Sequence, residues 1–130
     1  MLLVKTVLRM SSIHGIGLFA AEFIAGGTPI WRHSSLIDVK LSEEQLLELS
    51  PAAREQIAAY SYRQRATGLY VLCGDDARFF NHSKNPNCID IRGEDGQGVT
   101  LAARDIQPGE ELTCDYSIID KDYIDGKYQL

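Results

Sequence analysis

Helix signals are confined to one stretch of this chain, residues 41–60, and this confinement limits the possible folds more than any other feature. Within LSEEQLLELSPAAREQIAAY, Ser42 is followed three residues later by Gln45, which is the pattern of a capping box. Ser50 directly before Pro51 is a second N-cap pattern, with proline at the first helical position. The sequence therefore predicts a short helical insert at about 41–60.

The rest of the chain favours short strands. The segments 2–9, 69–73, 99–103 and 111–114 are short runs rich in apolar residues, and YSYRQ at 60–64 alternates. FAAEFIAGGTPI at 19–30 and LAARDIQPGEEL at 101–112 share Ala-Ala, Ile, Gly and an aliphatic residue at the same offsets. This similarity predicts one strand–turn–strand unit used twice. We therefore expect a mainly β fold.

Composition narrows the class of protein. A chain of 130 residues, 45% of them hydrophobic, suits one soluble globular domain. The three widely spaced cysteines Cys73, Cys88 and Cys114 make a poor disulfide framework and suit a reducing compartment. The apolar start is interrupted by Lys5 and Arg9, too short for a membrane span and unlike a signal peptide. We expect a cytoplasmic protein, or a nuclear one if delivered to a eukaryotic host, without membrane contact or secretion.

The balance of charges favours basic partners. The formal net charge is -5, and no run of basic residues is present, which argues against direct nucleic acid binding. An acidic protein attracts lysine-rich segments of other proteins, although the same charge also serves solubility alone.

Three motifs follow one another along the chain: GIGLFA at 15–20, RFFNHSKNPNC at 78–88 and GEELTCDY at 109–116. In this order they resemble the SET-domain protein-lysine methyltransferases, in particular the small stand-alone SET proteins of viruses and bacteria. The resemblance covers roughly 4–116. It implies a single SET domain over 1–130, built of several short twisted sheets, with a C-terminal pseudoknot that brings 78–88 beside 109–116. The tail, 117–130, would be a short post-SET-like segment without cysteines.

The resemblance also implies the reaction and its cofactor. A methyl group would pass from S-adenosylmethionine to a lysine ε-amine, leaving S-adenosylhomocysteine. The backbone of the glycine motif would approach the cofactor, since glycine has no Cβ to block it, although an ordinary glycine turn is the alternative. Asn81 and His82 would bind the amino-acid and adenine parts, although a buried core histidine is the alternative for His82. The implied cofactor-binding residues are Gly15, Ile16, Gly17, Leu18, Asn81, His82 and Tyr116.

Tyrosines would carry the catalysis. The family pattern places the Tyr116 hydroxyl near the transferring methyl group and the amine. Tyr60 and Tyr62 follow the helical insert, where related domains place a tyrosine of the lysine channel. Alternation along a strand would point only one of them into the channel, and we prefer Tyr60 as the second catalytic residue. All three tyrosines could instead be core or surface aromatics.

Several positions depart from the family pattern. Many SET proteins have a cysteine where Lys84 stands and a cysteine-rich tail, so we predict no structural zinc and no other metal site. Cys114 stands where a larger aromatic residue is common. It would line the channel and leave room for di- or trimethylation. His33 would either line the channel or lie on the surface.

The remaining expectations concern support and partners. Arg78, Asn87 and Asp115 would support the knot by hydrogen bonds, and Tyr123 and Tyr128 would help the tail to cover the cofactor. The expected partner is a lysine-rich protein substrate, whether a histone, a histone-like protein or a ribosomal protein, and a homodimer is possible by analogy. The alternative function is a SET-fold module that binds cofactor or a basic peptide with little or no turnover.

Overall fold

This computed structural model describes residues 1–92 and 98–121 of the chain. The described part contains ten short strands, three helices and one turn of 3-10 helix at Asp76–Phe79. The strands are β1 Thr6–Met10, β2 Ile16–Ala20, β3 Pro29–Arg32, β4 Val39–Leu41, β5 Tyr62–Arg63, β6 Tyr70–Leu72, β7 Asn81–His82, β8 Cys88–Arg92, β9 Gly98–Ala102 and β10 Thr113–Cys114. The helices are α1 Glu43–Leu47, α2 Pro51–Tyr60 and α3 Tyr116–Ile119.

The strands form four small sheets, so the predicted mainly β fold is confirmed. The pairs are antiparallel in β1-β2, β3-β9-β8 and β4-β6-β5, whereas β7 and β10 run parallel. The segments predicted at 69–73 and 111–114 contain β6 and β10, and the one at 99–103 overlaps β9. The strand–turn–strand unit predicted at 19–30 overlaps β2 and β3. Strands β4 and β8 were not predicted, because pairing with other strands and not a local pattern makes them strands.

The helical insert is confirmed as two helices with the predicted caps. The Ser42 hydroxyl accepts from the Gln45 amide at 3.1 Å, and the Gln45 side chain accepts from the Ser42 amide at 2.9 Å. Ser50 accepts from the Ala53 amide at 3.2 Å, with Pro51 opening α2. The longest of these helices has ten residues, and no helix in the described part is long and apolar enough to cross a membrane.

The two similar segments, 19–30 and 101–112, lie against each other in matching positions. Ile24 and Ile106 exchange two backbone hydrogen bonds of 2.9 and 2.8 Å, and each is at most 2% exposed. Gly27 donates its amide to Ala102, and Gly109, at the equivalent position, donates to Ala20. Both glycines have φ near +85°, at 84° and 89°, which favours glycine at the turns. The predicted repeated unit therefore forms the centre of the core by pairing with itself.

The parallel pair of β7 and β10 brings the second and third motifs together. Thr113 pairs with Asn81, and Cys114 pairs with His82. The Asn87 side chain supports this pair, since it donates to the Glu111 carbonyl at 2.7 Å and accepts from the Thr113 amide at 2.9 Å. Residues 81–88 therefore lie beside residues 111–116, and the threading of a pseudoknot stays a prediction.

Candidate active site

A cavity of about 320 Å³ opens where the first, second and third motifs meet the end of α2. This volume is at the lower end of the range for small-molecule sites, about 300–1,000 Å³. Seven of the residues predicted for the site lie in its wall: Gly15, Ile16, Tyr60, Tyr62, Asn81, Cys114 and Tyr116. The fold therefore brings residues as distant in the chain as Gly15 and Tyr116 into the wall of one cavity.

Asn81 ties the first motif to the second and third. Its amide nitrogen donates to the carbonyls of His14 and Ile16 at 3.0 and 3.3 Å, and to a Glu111 carboxylate oxygen at 2.8 Å. Asn81 is 8% exposed, so loss of these bonds would leave its carbonyl and carboxylate acceptors unpaired in a mostly buried site. Asn81 therefore fixes the backbone at one side of the cavity.

Glu111 explains the second glycine of the first motif. Its carboxylate also accepts from the Ser11 hydroxyl at 2.8 and 2.9 Å. A Cβ at position 17 would lie 2.2 Å from a Glu111 oxygen, so any other residue there would displace this carboxylate from its bonds to Asn81 and Ser11. Gly17 and the fully buried Leu18 are not part of the cavity wall. The structure shows a contact of Gly17 with Glu111 that the sequence did not indicate, and its predicted approach to the cofactor stays a prediction.

Gly15 is the glycine that faces open space. Its φ is +45°, and a Cβ placed on it would meet no atom of residues 1–92 and 98–121 within 4 Å. It lies in the cavity wall beside His14 and Ile16, whose carbonyls Asn81 holds. Backbone groups at 14–16 are therefore accessible from the cavity and fixed in position.

Tyr116 is oriented from two sides. It is the first residue of α3, whose N-cap is Asp115, with the Ser117 amide donating to the Asp115 carboxylate at 3.0 Å. The His82 Nδ1 atom accepts from the Tyr116 amide at 3.1 Å, and the two rings stack at 5.9 Å with an interplanar angle of 25°. His82 is not part of the cavity wall. Its imidazole therefore contacts Tyr116, and the sequence offered no signal for that contact.

Both Tyr60 and Tyr62 line the cavity, so the prediction that only one of them would face it is wrong. Tyr60 is the last residue of α2, and alternation along a strand does not apply to it. Its ring is 46% exposed and packs edge-on against Phe79 at 5.7 Å. Burial, followed by the nearby acidic groups of Cys73 and Asp90, raises the pKa of Tyr62 well above its usual value. Tyr62 therefore stays a neutral hydrogen-bond donor.

The thiols in the cavity wall are also neutral. Burial raises the pKa of Cys73 to about 12. A hydrogen bond with the Cys88 thiol, and then burial, raise the pKa of Cys114, which is 3% exposed. Behind Cys114, burial also raises the pKa of Asp90, whose carboxylate accepts from the Thr100 hydroxyl at 2.5 Å. This side of the cavity therefore presents no thiolate.

His33 does not reach the cavity, so its predicted place in a substrate channel is not supported. Its Nδ1 atom lies 3.6 Å from the buried Asp38 carboxylate. That carboxylate also accepts from the amides of Ser34 at 2.7 Å and Gly74 at 3.1 Å. His33 therefore lies beside the Asp38 turn and not in the cavity wall, and nothing local in IWRHSS indicates this.

The sequence missed much of the apolar wall. Trp31 on β3 and Phe79 in the 3-10 turn both line the cavity. Arg78, expected to support the knot, lies in the wall instead. The Phe-Phe pair before Asn81 was the available signal, whereas Trp31 comes from a strand without any motif. Tyr123 and Tyr128 lie outside the described residues.

No group of three or more His, Cys, Asp or Glu side chains that could hold a metal ion occurs in residues 1–92 and 98–121. The prediction that the protein holds no zinc stays a prediction.

Comparisons with known proteins agree on one family. A family model for the SET domain matches residues 15–117. Histone-lysine N-methyltransferase trr of Drosophila melanogaster is 32% identical over 124 residues, which cover 84% of this chain. Human histone-lysine N-methyltransferase 2B is 32% identical over 111 residues, or 82% of this chain. The chain spans only 5% and 4% of the lengths of these two relatives.

The fold is similar to solved structures. The Chaetomium thermophilum Polycomb Repressive Complex 2, solved as a humanised mutant bound to an inhibitor, superposes with a TM-score of 0.68 at 23% identity. The similarity covers 92% of this chain and 16% of the compared chain. At this level of identity the similarity establishes the fold.

Proposed function

Because this chain belongs to the SET-domain family, we propose that it transfers a methyl group from S-adenosylmethionine to a lysine ε-amine of a basic protein. The proposal rests on the cavity. Its wall contains Tyr116, Tyr60 and Tyr62 together with the backbone at 14–16, which Asn81 holds by hydrogen bonds. The names of the relatives, which are histone-lysine N-methyltransferases, support the same reaction.

The cavity wall suits such a cofactor. S-Adenosylmethionine supplies a methyl group activated on a positively charged sulfur atom. Gly15 leaves open space beside its Cα, and the carbonyls next to it are held by Asn81. The aromatic side chains of Trp31 and Phe79 offer apolar surface to a flat ring. Backbone polar groups on one side and aromatic surface on the other are what a nucleoside with a polar tail requires.

The same wall favours the reactive form of lysine. A free lysine has a pKa of about 10.4, so removing its proton near pH 7 costs about 4–5 kcal/mol. Burial disfavours the ammonium form, and the neutral Tyr62 phenol and Cys114 thiol add no negative charge that would stabilise it. The chain therefore contributes desolvation and alignment, and alignment alone is worth about 7 kcal/mol or more.

We propose that Tyr116 is the catalytic tyrosine and that Tyr60 and Tyr62 shape the channel for the lysine. The bond from the Tyr116 amide to His82 and the Asp115 cap fix the first turn of α3, and with it the phenol. A hydroxyl held in this way can orient the amine lone pair toward the methyl group. Tyr60 keeps its predicted role as the second candidate, at the exposed end of the cavity.

Calorimetric titration with S-adenosylhomocysteine, the product of the cofactor, tests the pocket. We expect saturable one-to-one binding that weakens at least about tenfold in Asn81→Ala, because the fixed carbonyls at 14 and 16 lose their donor. Asn85→Ala, at an exposed position whose contact uses only the backbone amide, should bind like the unaltered protein. Absence of binding in the unaltered protein would contradict the proposal and favour a module without turnover.

The proposed substrate is a lysine-rich segment of a histone, a histone-like protein or a ribosomal protein. The net charge of -5 supports a basic partner. The names of the relatives favour histones among these three. Direct nucleic acid binding is not part of the proposal. A single domain over 1–130, a homodimer, and a cytoplasmic or nuclear location stay predictions.

The size of Cys114 bears on how many methyl groups are added. The side chain lines the cavity and is smaller than an aromatic residue, so a methylated amine has room to turn. We expect mass spectrometry of core histones, incubated with excess S-adenosylmethionine, to reveal di- or trimethylated lysine. An exclusively monomethylated product after prolonged incubation would contradict this expectation.

A further inference from the structure

We propose that Arg65 is a positioning residue for the candidate active site, since its guanidinium holds the short helix that begins with Tyr116. The role rests on the proposed function, because it deepens the account of how Tyr116 is held. No motif includes Arg65, which lies in an exposed turn after β5.

The guanidinium binds the C-terminal end of α3 with two hydrogen bonds. Nη2 donates to the Ser117 carbonyl at 2.6 Å, and Nε donates to the Ile118 carbonyl at 3.1 Å. The last carbonyls of a helix have no partner within the helix, and a cation there also meets the negative end of the helix dipole. Arg65 therefore satisfies two groups that α3 alone leaves unpaired.

This support matters because α3 has only four residues. Helix initiation is unfavourable, and a helix of this length does not persist through its own hydrogen bonds. Asp115 caps its N-terminal end and Arg65 holds its C-terminal end. Tyr116 lies in the first turn between them, so the orientation of its ring depends on both ends.

The turn that carries Arg65 is itself fixed. The Gly68 amide donates to the Gln64 carbonyl at 2.8 Å, and the Arg63 side chain donates to the Gly68 carbonyl at 3.0 Å. The Arg63 amide donates to the fully buried Asp120 at 3.1 Å, just beyond α3. Since β5 also carries Tyr62, these contacts set the spacing between the Tyr62 and Tyr116 sides of the cavity.

Hydrogen exchange combined with turnover tests the proposal. The variants are Arg65→Ala, Arg65→Lys, which retains a donor for one carbonyl, and Arg9→Ala, which removes an exposed arginine from β1. In Arg65→Ala we expect amides of 116–121 to exchange about tenfold faster or more, as loss of charged hydrogen bonds would allow. Turnover on core histones should fall about tenfold, with S-adenosylhomocysteine affinity within about threefold. For both exchange at 116–121 and turnover, Arg65→Lys should lie between Arg65→Ala and the unaltered protein. Arg9→Ala should match the unaltered protein in both measurements.

The two measurements separate failure of this proposal from failure of the proposed function. Exchange at 116–121 that stays within about twofold in Arg65→Ala would overturn the positioning role. So would unchanged turnover in a preparation whose unaltered protein is active. If the unaltered protein transfers no methyl group, the proposed function fails, and the exchange data still decide whether Arg65 holds α3.

Discussion

Replacing Tyr116 with phenylalanine is expected to lower methyl transfer at least about a hundredfold while changing the affinity for S-adenosylhomocysteine by less than about threefold. The variant keeps the ring that stacks on His82 and the amide that donates to it, so α3 should keep its place. Only the hydroxyl is lost, which we propose orients the amine. Single-turnover transfer to core histones and calorimetric titration measure the two effects separately.

Tyr70→Phe is the matched control for this experiment. Tyr70 lies on β6, outside the cavity wall, and its ring meets the Arg63 guanidinium at 5.3 Å. Its ring remains in the variant, so turnover should stay close to that of the unaltered protein. Turnover by Tyr116→Phe equal to that of Tyr70→Phe would remove the Tyr116 hydroxyl from the mechanism.

Replacing Gly74 with alanine is expected to lower the free energy of unfolding by about 3 kcal/mol or more. A Cβ at this position would lie 1.8 Å from the Ile37 carbonyl oxygen, so the backbone of one turn must move. That movement would also disturb Asp38, which accepts from the Gly74 amide at 3.1 Å and holds the turn together. Urea denaturation at equilibrium measures the loss.

Gly98→Ala is the control for the glycine experiment. Among the described residues, a Cβ at Gly98 would meet only the Trp31 ring at 3.8 Å, an ordinary contact. Alanine in a strand is favoured over glycine by about 0.5–1 kcal/mol, so this variant should be as stable as the unaltered protein or slightly more stable. Equal stability of Gly74→Ala and Gly98→Ala would contradict the expectation, because it would show that the backbone at Ile37 can move at little energetic cost.

Much of the fold could be predicted from the sequence because its signals are local. The caps at Ser42 and Ser50 depend on side chains bonding to amides three residues away, and both form as predicted. The similar segments at 19–30 and 101–112 each contain a turn glycine, and those turns form as well. The strand register was not predicted, since pairing with strands elsewhere in the chain decides it.

The sequence by itself determined the family, the mainly β class and seven residues of the cavity wall, since motif residues are specific in type and order. Only the tertiary structure decided what several of those residues contact. Gly17 lies against a carboxylate 94 positions away, and His82 bonds to Tyr116. His33 turns to Asp38, and Arg65 reaches across to α3. These contacts join residues that are distant in the chain or turned by local backbone geometry, so no pattern of neighbouring residues contains them.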